Sequence, residues 1–471
     1  MSRNLLLFLI FSCLGLFLVF CFQVNDYYLS WLYCITAVWS MIIIWDLTGK
    51  RPTIFFFFML SYHLFIGARF FVYIFSQEKA IFELDWFYPY NPTGAERLPI
   101  YIFVYLFQVM FTLGYCVSWR NKSQVRFEIT CNNSLRLKID KILNKAFPCI
   151  FVILIFYLVK GLFEIMSSGY GLVERSDNIE DVSYLMKFIE MAATVFTAMA
   201  VAYGKDTTKK KYFVLLSIRA VVSILSGSRA AFGALLFFLV WAYSLHHKIS
   251  LKKIGTYSFV GLFVMLFLFS FSVRAASNGF IDLSITDAFI DFFYSNGGSI
   301  AIFGASMTLN DYPVVPYFQT LITGAGFIYG HLRGTPLKPE EATFQGHMCN
   351  TFDSELYYSG KGLGWTGTGD IYLFSRGNIL IYCILCVLIA RLLAYIDKSS
   401  FKSDFYKYMA GSLAFGLFMI PRGTFASLFA MIPYVYFYLI VIVLIANSMR
   451  RKEKYINNTG MKVPESNCFL D

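Results

Sequence analysis

Long apolar runs separated by short polar stretches dominate this chain. A bilayer core about 30 Å thick needs about 20 apolar residues per helix, and the runs predict twelve membrane-spanning helices. The first run follows Arg3, as in a signal peptide, but its 18 residues are long for that purpose and no small-residue cleavage site follows. We therefore interpret it as a spanning anchor. The predicted spans are residues 5–22, 29–47, 54–75, 98–119, 147–166, 184–204, 212–226, 230–245, 255–273, 371–395, 405–420 and 424–448.

One long segment, residues 274–370, separates the ninth predicted span from the tenth. Aromatic and apolar residues occur throughout it, so we expect it to fold rather than to act as a linker. Ser284 and Asp287 fit a capping box at the start of a helix that would lie on the membrane surface or against the helical bundle. The apolar residues that recur there at helical spacing are Ile281, Ile285, Ala288, Phe289, Phe292 and Phe293.

Composition narrows the class of protein. Of the 471 residues, 58% are apolar and 15% are charged, whereas soluble domains carry about 45–50% apolar and about 25% charged residues. A soluble core of this length cannot bury the excess. We therefore predict an all-α polytopic membrane protein with a single transmembrane domain, 1–471, and one large inserted loop, 274–370. A soluble enzyme, a nucleic-acid binder and a disordered scaffold are excluded.

The distribution of basic residues predicts the orientation. The net charge is +11, and 24 of the 40 lysines and arginines fall in the loops and ends on one side of the predicted spans, against 9 on the other side. Cytoplasmic loops carry the excess of basic residues. Both termini and residues 120–146 are therefore expected in the cytoplasm, and residues 274–370 outside it.

Several arginines are predicted at the outer ends of spans, where basic residues are less frequent than on the cytoplasmic side. The seventh and eighth spans are short and meet at Ser226-Gly227-Ser228-Arg229-Ala230. Ser228 suits the N-cap of the eighth span, and the free N–H groups there, with Arg229, could bind an anion at the depth of lipid phosphates. The alternative is that each arginine reaches independently to lipid headgroups. Other arginines predicted near this level are Arg69, Arg274 and Arg422.

The long loop supplies candidate acids and bases. Glu355 precedes Leu356-Tyr357-Tyr358 and a glycine cluster, so we expect it to be partly buried near the tenth span. Glu340 and Glu341 are interpreted as a solvated face. His331 and His347 lack the spacing of metal ligands, so no metal site is expected. No phosphate-binding loop, dinucleotide fingerprint or nucleophile elbow is present, and no cofactor is expected.

The predicted arrangement of spans and loops resembles that of the Wzy-type O-antigen polymerases, also called oligosaccharide repeat-unit polymerases. The resemblance rests on about twelve spans, a large late outer loop and outer arginines. Locally it rests on Ser226-Gly227-Ser228-Arg229 at the start of a helix and on Ser354-Glu355-Leu356-Tyr357 before Gly360, Gly362 and Gly364.

The resemblance implies a substrate and a reaction. The substrate would be oligosaccharide repeat units on undecaprenyl diphosphate at the periplasmic face of the bacterial inner membrane. The growing chain would pass from its lipid diphosphate to a new lipid-linked unit, without a metal ion. Arg229, Arg274, Arg422, Arg69 and Ser228 are the predicted diphosphate ligands, and Glu355 or His331 the predicted base.

Two alternatives stay open at the sequence level. An O-antigen ligase has a similar plan, and a lipid-linked oligosaccharide flippase would be a transporter. The single large loop and the unequal halves of the chain argue against the flippase, because many transporters are built from inverted repeats. Membrane lipids, and a chain-length regulator and flippase of the same pathway, are the expected partners.

Overall fold

Helices account for the regular structure of the computed structural model. It describes residues 3–22, 25–120, 133–168, 180–225, 229–271, 284–322, 324–335 and 337–459. Within these ranges there is no β-strand, and one isolated antiparallel bridge joins Leu84 to Tyr90. The predicted all-α class is confirmed.

The first part of the chain forms ten helices and one π-helical turn in the described ranges, and each of the first nine predicted spans overlaps them. Eight helices of the described chain are long and apolar enough to cross a membrane, with residues 54–75 counted as one helix. The protein is therefore a multi-pass membrane protein, and the number of twelve spans stays a prediction. The elements are α1 Arg3–Phe22, α2 Asp26–Leu47, α3 Ile54–Tyr62, a π turn His63–Gly67, α4 Ala68–Phe75, α5 Gly94–Arg120, α6 Asn133–Ser168, α7 Glu180–Tyr203, α8 Asp206–Leu225, α9 Arg229–Ser244 and α10 Leu251–Ser270.

The described part of the long segment folds into seven short helices, as expected. Ser284 caps the first of them by accepting a hydrogen bond from the Asp287 N–H at 3.1 Å, and its hydroxyl donates to the Asp287 carboxylate at 2.6 Å. This confirms the N-cap of the predicted capping box. This helix packs against α4 and the π turn, so of the two predicted locations it takes the one against the bundle. The helices are α11 Ile285–Asn296, α12 Ser299–Met307, α13 Val315–Leu321, α14 Ala325–Arg333, α15 Pro339–Ala342, α16 Phe344–Phe352 and α17 Ser354–Tyr358.

The last part of the chain contains four α-helices and one 3-10 turn. The continuous span predicted for 371–395 is wrong, because Arg376 and Gly377 adopt left-handed backbone conformations, with φ of 51° and 71°. Asn378 then caps a new helix by accepting from the Ile381 N–H at 3.1 Å. The elements are α18 Gly367–Ser375, α19 Ile379–Ser400, α20 Asp404–Met419, the 3-10 turn Ile420–Arg422 and α21 Phe425–Thr459.

Two buried aspartates join distant parts of the bundle. Asp397 of α19 accepts hydrogen bonds from the N–H groups of Ile54 and Phe55 at 3.0 and 3.1 Å, which satisfies the free donors at the start of α3. Asp370 of α18 accepts from the Thr424 hydroxyl at 2.8 Å and the Phe425 N–H at 2.7 Å. This second contact fixes the start of α21 beside the 3-10 turn. Buried ionisable groups in membrane proteins need such partners.

Candidate functional site

The C-terminal end of α11, residues 292–298, is the place where three of the predicted arginines meet. Arg69 reaches it from α4, Arg229 from the first position of α9, and Arg422 from the 3-10 turn before α21. We call this end of the bundle the arginine end. Sequence spacing could not place these three residues together, because they lie on separate hairpins. The two other predicted ligands, Ser228 and Arg274, lie outside the described residues.

Arg69 is bound to the protein's own backbone. Its side chain is 2% exposed, and its Nη1 donates to the carbonyls of Ile81 at 3.1 Å and Glu83 at 2.6 Å. Its Nε donates to the Tyr294 carbonyl at 3.2 Å, and its guanidinium lies 4.2 Å from the centre of the Tyr294 ring. These contacts join the 81–83 loop to α11 and argue against the predicted diphosphate role of Arg69.

The close approach of α11 to Arg69 requires glycine at position 297. A Cβ atom at Gly297 would lie 2.7 Å from the backbone nitrogen of Arg69 and 2.8 Å from its Cγ. Such distances are far inside van der Waals contact, and the backbone of α4 cannot give way as a flexible side chain could. Gly297 therefore sets how near the arginine end of α11 lies to α4.

Arg229 and Arg422 contact consecutive residues of α11. Arg229 donates from Nη2 to the Ser295 hydroxyl at 3.3 Å, and its guanidinium lies 5.4 Å from the centre of the Phe292 ring. Arg422 donates from Nη1 to the Asn296 side-chain carbonyl at 3.4 Å. Both contacts are long, and both side chains are partly exposed. The two guanidinium groups therefore contact α11 at neighbouring polar side chains, Ser295 and Asn296.

The π turn contacts Arg422 through the ring of Phe65. The Arg422 guanidinium lies 5.6 Å from the centre of the ring of Phe65, a residue of that turn. In the same turn, the Nδ1 of His63 lies 3.1 Å from the Tyr33 hydroxyl. A π-helical turn inside a span is uncommon and frequently occurs at functional sites. The apolar sequence of the third span gave no signal for it.

A cavity of about 260 Å³ extends from Arg229 into the bundle. Its walls are almost entirely apolar, and the polar side chains that line it are Arg229, Asn296, Ser61, Tyr257 and Ser258. The apolar lining residues come from α3, the π turn, α9, α10, α11 and α20, and are Phe57, Leu60, Leu64, Phe65, Gly233, Ala234, Leu236, Phe237, Val240, Ile254, Gly261, Leu262, Met265, Phe292, Phe293, Phe418 and Met419.

The cavity reaches an apolar outer surface along α10. Tyr257 lines the cavity and is also exposed, and the neighbouring Phe259, Phe263 and Phe267 are exposed large aromatic side chains. Such a surface on a membrane-spanning helix faces lipid. The apolar cavity with Arg229 in its lining therefore lies beside a lipid-facing surface of α10.

The two predicted bases do not contact these arginines. Glu355 is exposed on α17, so the prediction that it is partly buried is wrong. The reason is local: Asp353 caps the five-residue helix by accepting from the Leu356 N–H at 2.8 Å, which turns Tyr357 inward and Glu355 outward. His331 is also exposed and stacks on Phe327 with 6.4 Å between ring centres.

The predicted solvated pair Glu340 and Glu341 divides into two environments. Glu340 is buried and accepts a hydrogen bond from the Tyr358 hydroxyl at 2.7 Å, which raises the pKa of Tyr358; for Glu340 the prediction is wrong. Glu341 accepts from the Lys338 N–H and pairs with Arg333 at 3.1 Å. These two donors lower the pKa of Glu341.

No group of three or more His, Cys, Asp or Glu residues is placed to hold a metal ion in the part of the chain that the structure describes. Metal independence stays a prediction.

Sequence reasoning did not identify Ser295 and Asn296 as site residues. Their signal is the polar and glycine run Ser295-Asn296-Gly297-Gly298 directly after an amphipathic helix, which indicates a helix end with close backbone contacts.

Comparison with known families gives a match over nearly the whole chain. The sequence matches the family model described as O-antigen polysaccharide polymerase Wzy over residues 4–453. The matched range includes α9 with Arg229, α11 and the 3-10 turn with Arg422. No curated protein and no solved structure gives a significant match to the chain.

Proposed function

Because the chain belongs to the O-antigen polysaccharide polymerase Wzy family, we propose that it extends a surface polysaccharide by joining oligosaccharide repeat units carried on undecaprenyl diphosphate. The polymerase role in general follows from the family. The lipid carrier, the membrane side and the residues that act are our proposal.

The cavity that ends at Arg229 is the observation that supports this function best. A polyprenyl diphosphate has a long apolar tail and a charged head. The site has an apolar cavity with the cationic residue Arg229 in its lining, and Arg422 contacts Phe65 and Asn296 of that lining. Part of the tail would lie among Phe57, Phe237 and Leu262, and the diphosphate would meet Arg229 and Arg422. Arginine suits this role because its planar fork of donors matches phosphate oxygens.

The proposed reaction transfers the growing chain. The acceptor hydroxyl oxygen forms a bond to the anomeric carbon of the donor sugar, and the bond between that carbon and the diphosphate oxygen breaks. The diphosphate leaves with the electron pair, so negative charge develops beside Arg229 and Arg422. Fixed cationic donors at that place stabilise the transition state. Ser228 and Arg274, outside the described residues, are proposed to donate further hydrogen bonds to the leaving diphosphate.

The hydroxyl proton needs an acceptor, and Glu355 is proposed for this role, with His331 as the second candidate. Glu355→Gln keeps the size of the side chain but removes its basicity. We expect the variant to bind donor normally and to elongate about 100-fold more slowly, the usual scale for a general base. Donor binding and elongation are measured separately with purified lipid-linked units. An unchanged elongation rate would assign Glu355 no chemical role.

The proposed orientation places the arginine end at the periplasmic face of the inner membrane, with both termini in the cytoplasm. A single transmembrane domain, 1–471, carries the site. The proposed partners are the lipid-linked oligosaccharide, membrane lipids, and a chain-length regulator and flippase of the same pathway. Reporter fusions at residues 135 and 330 test the orientation, since alkaline phosphatase should be active only at 330. Phosphatase activity at residue 135 would mean that the orientation is the reverse of the proposed one.

Filling the cavity should weaken donor binding without harming the fold. Gly233 lines the cavity, and a Cβ atom there would meet no other atom within 4 Å. Leucine at this position extends into the space proposed for the tail. We expect Gly233→Leu to raise the donor concentration for half-maximal elongation about tenfold or more, which corresponds to about 1.4 kcal/mol.

Gly255→Leu is the matched control for this prediction. Gly255 lies on α10, is exposed, does not line the cavity, and has equal space for a Cβ atom. Both changes raise helix propensity to a similar degree. Equal kinetics for the two leucine variants would mean that the tail binds elsewhere.

Gene deletion distinguishes the proposed polymerase from the two related functions. Loss of a polymerase should leave one repeat unit on lipid A–core in a gel of surface polysaccharide. Bare core with polymer stranded on its lipid carrier would indicate a ligase. Bare core with repeat units trapped inside the cell would indicate a flippase. Either of the last two results would overturn the proposal.

A further inference from the structure

The hairpin of α13 and α14 carries its large apolar residues on the outside. Phe327 and Leu332 of α14 are each 81% exposed, more than any other large apolar side chain in the described part of the chain. The arrangement continues along the hairpin, and the other exposed apolar residues are Val314, Phe318, Leu321, Ile322, Ile328 and Tyr329.

The inner face of α14 is made of glycine. Gly326 and Gly330 are its buried residues, and a Cβ atom at Gly330 would lie 3.2 Å from the Thr335 carbonyl oxygen. The Gly326 N–H donates to the Gln319 side chain at 2.7 Å, which fixes α14 on α13. Small residues thus face the protein and large apolar residues face away from it. This is the reverse of a helix in water and is typical of a helix packed in lipid.

The position of the hairpin brings this surface to the membrane. α13 packs against α21, a candidate membrane span. The ring of Tyr317 on α13 lies 5.4 Å from that of Phe374 on α18, and Asp370 of α18 is bonded to the start of α21. The hairpin therefore lies beside α18 and α21, and α21 also carries exposed apolar side chains, among them Phe437 and Ile440.

Basic groups follow the apolar surface along the chain. His331 and Arg333 end α14, and Lys338 precedes α15; all three side chains are exposed, and Arg333 is half-exposed while it pairs with Glu341. Cationic groups at the edge of an apolar helix face match the phosphate layer above an acyl region. The distribution of charge therefore agrees with lipid as the surface that covers the hairpin.

We propose that the α13–α14 hairpin inserts into the acyl region of the membrane leaflet at the arginine end, with phospholipid as its ligand. Phe327 and Leu332 lie among acyl chains, and His331 and Arg333 lie at the headgroup phosphates. The hairpin thus fixes the long segment 274–370 to the bilayer surface beside α21. His331 is then a headgroup contact, which leaves Glu355 as the proposed base. The inference does not depend on the proposed function.

A photoreactive side chain tests the insertion in the full-length protein. Benzoyl-phenylalanine replaces Phe327 or Leu332 in proteoliposomes of phosphatidylethanolamine and phosphatidylglycerol and, separately, in intact cells. Tyr358 is the matched control, because it is an exposed aromatic residue of the same segment on a different helix. Irradiation is followed by mass spectrometry of the protein and its adducts. The side chains at 327 and 332 are exposed, so their replacement should not disturb the core. Replacing Tyr358 also removes its hydrogen bond to the buried Glu340, so thermal unfolding of that variant is compared with the wild type before irradiation.

We expect phospholipid adducts at 327 and 332 in at least about tenfold higher yield than at 358, because only side chains in the acyl region meet lipid C–H bonds. Equal yields at the three sites would overturn the insertion. Adducts with a second protein in cells, together with no lipid adduct in liposomes, would overturn it in favour of a protein interface. Each outcome can occur whether or not elongation depends on the hairpin.

Discussion

Arg229→Ala is expected to slow chain elongation on the order of 10³-fold, the upper scale for removing a fixed donor that stabilises developing charge. The protein should remain in the membrane in normal amount. The reason is that Arg229 is partly exposed and its hydrogen bond to Ser295 on α11 is long, at 3.3 Å. The measurement is elongation of purified lipid-linked units in proteoliposomes, with chain length read on a gel.

Two further variants sharpen this result. Arg229→Lys should recover only part of the rate, since a point charge replaces a planar fork of donors. Arg391→Ala is the matched control, because Arg391 is an exposed arginine on α19 outside the site, and it should elongate normally. Wild-type chain length in Arg229→Ala would leave Arg229 only the role of an interfacial anchor.

Arg69→Ala should instead destabilise the protein. The change removes hydrogen bonds to the carbonyls of Ile81, Glu83 and Tyr294, and a hydrogen bond to a charged group is worth about 1.5–3 kcal/mol. We expect the free energy of unfolding to fall by at least about 3 kcal/mol, since those buried carbonyls lose their donor. Thermal unfolding in detergent and the yield of monodisperse protein report this loss.

Arg97→Ala is the control for the stability measurement. Arg97 also makes an ion pair and hydrogen bonds, with Asp26, the Pro92 carbonyl and the Asn91 side chain, but its side chain is partly exposed. Exposed pairs contribute about 0–1 kcal/mol, and water can replace Arg97 as the donor, so its loss should cost clearly less stability than the loss of the buried Arg69. If Arg69→Ala unfolds like the wild type but binds donor weakly, Arg69 contacts the diphosphate, as the sequence predicted.

The contrast between these arginines defines what sequence could not resolve. Arg69, Arg229 and Arg422 are equivalent in the sequence, each at the predicted outer end of a span. Their contacts with α11 differ: it presents the Tyr294 carbonyl to Arg69, the Ser295 hydroxyl to Arg229 and the Asn296 side-chain carbonyl to Arg422. A contact of this kind depends on residues more than 60 positions away along the chain, and hydrophobic periodicity carries no information about it.

The amino-acid sequence by itself determined the all-helical class, the membrane environment, the position of most helices and the cap at Ser284, because each depends on local composition and spacing. Only the tertiary structure decided the break at Arg376-Gly377, the π turn at His63–Gly67, the burial of Glu340 and the exposure of Glu355. The cavity between α3, α9 and α10 belongs to the second group as well. The physical reason is that burial and cavity shape arise from packing between distant helices, whereas helix formation and membrane insertion follow from neighbouring residues.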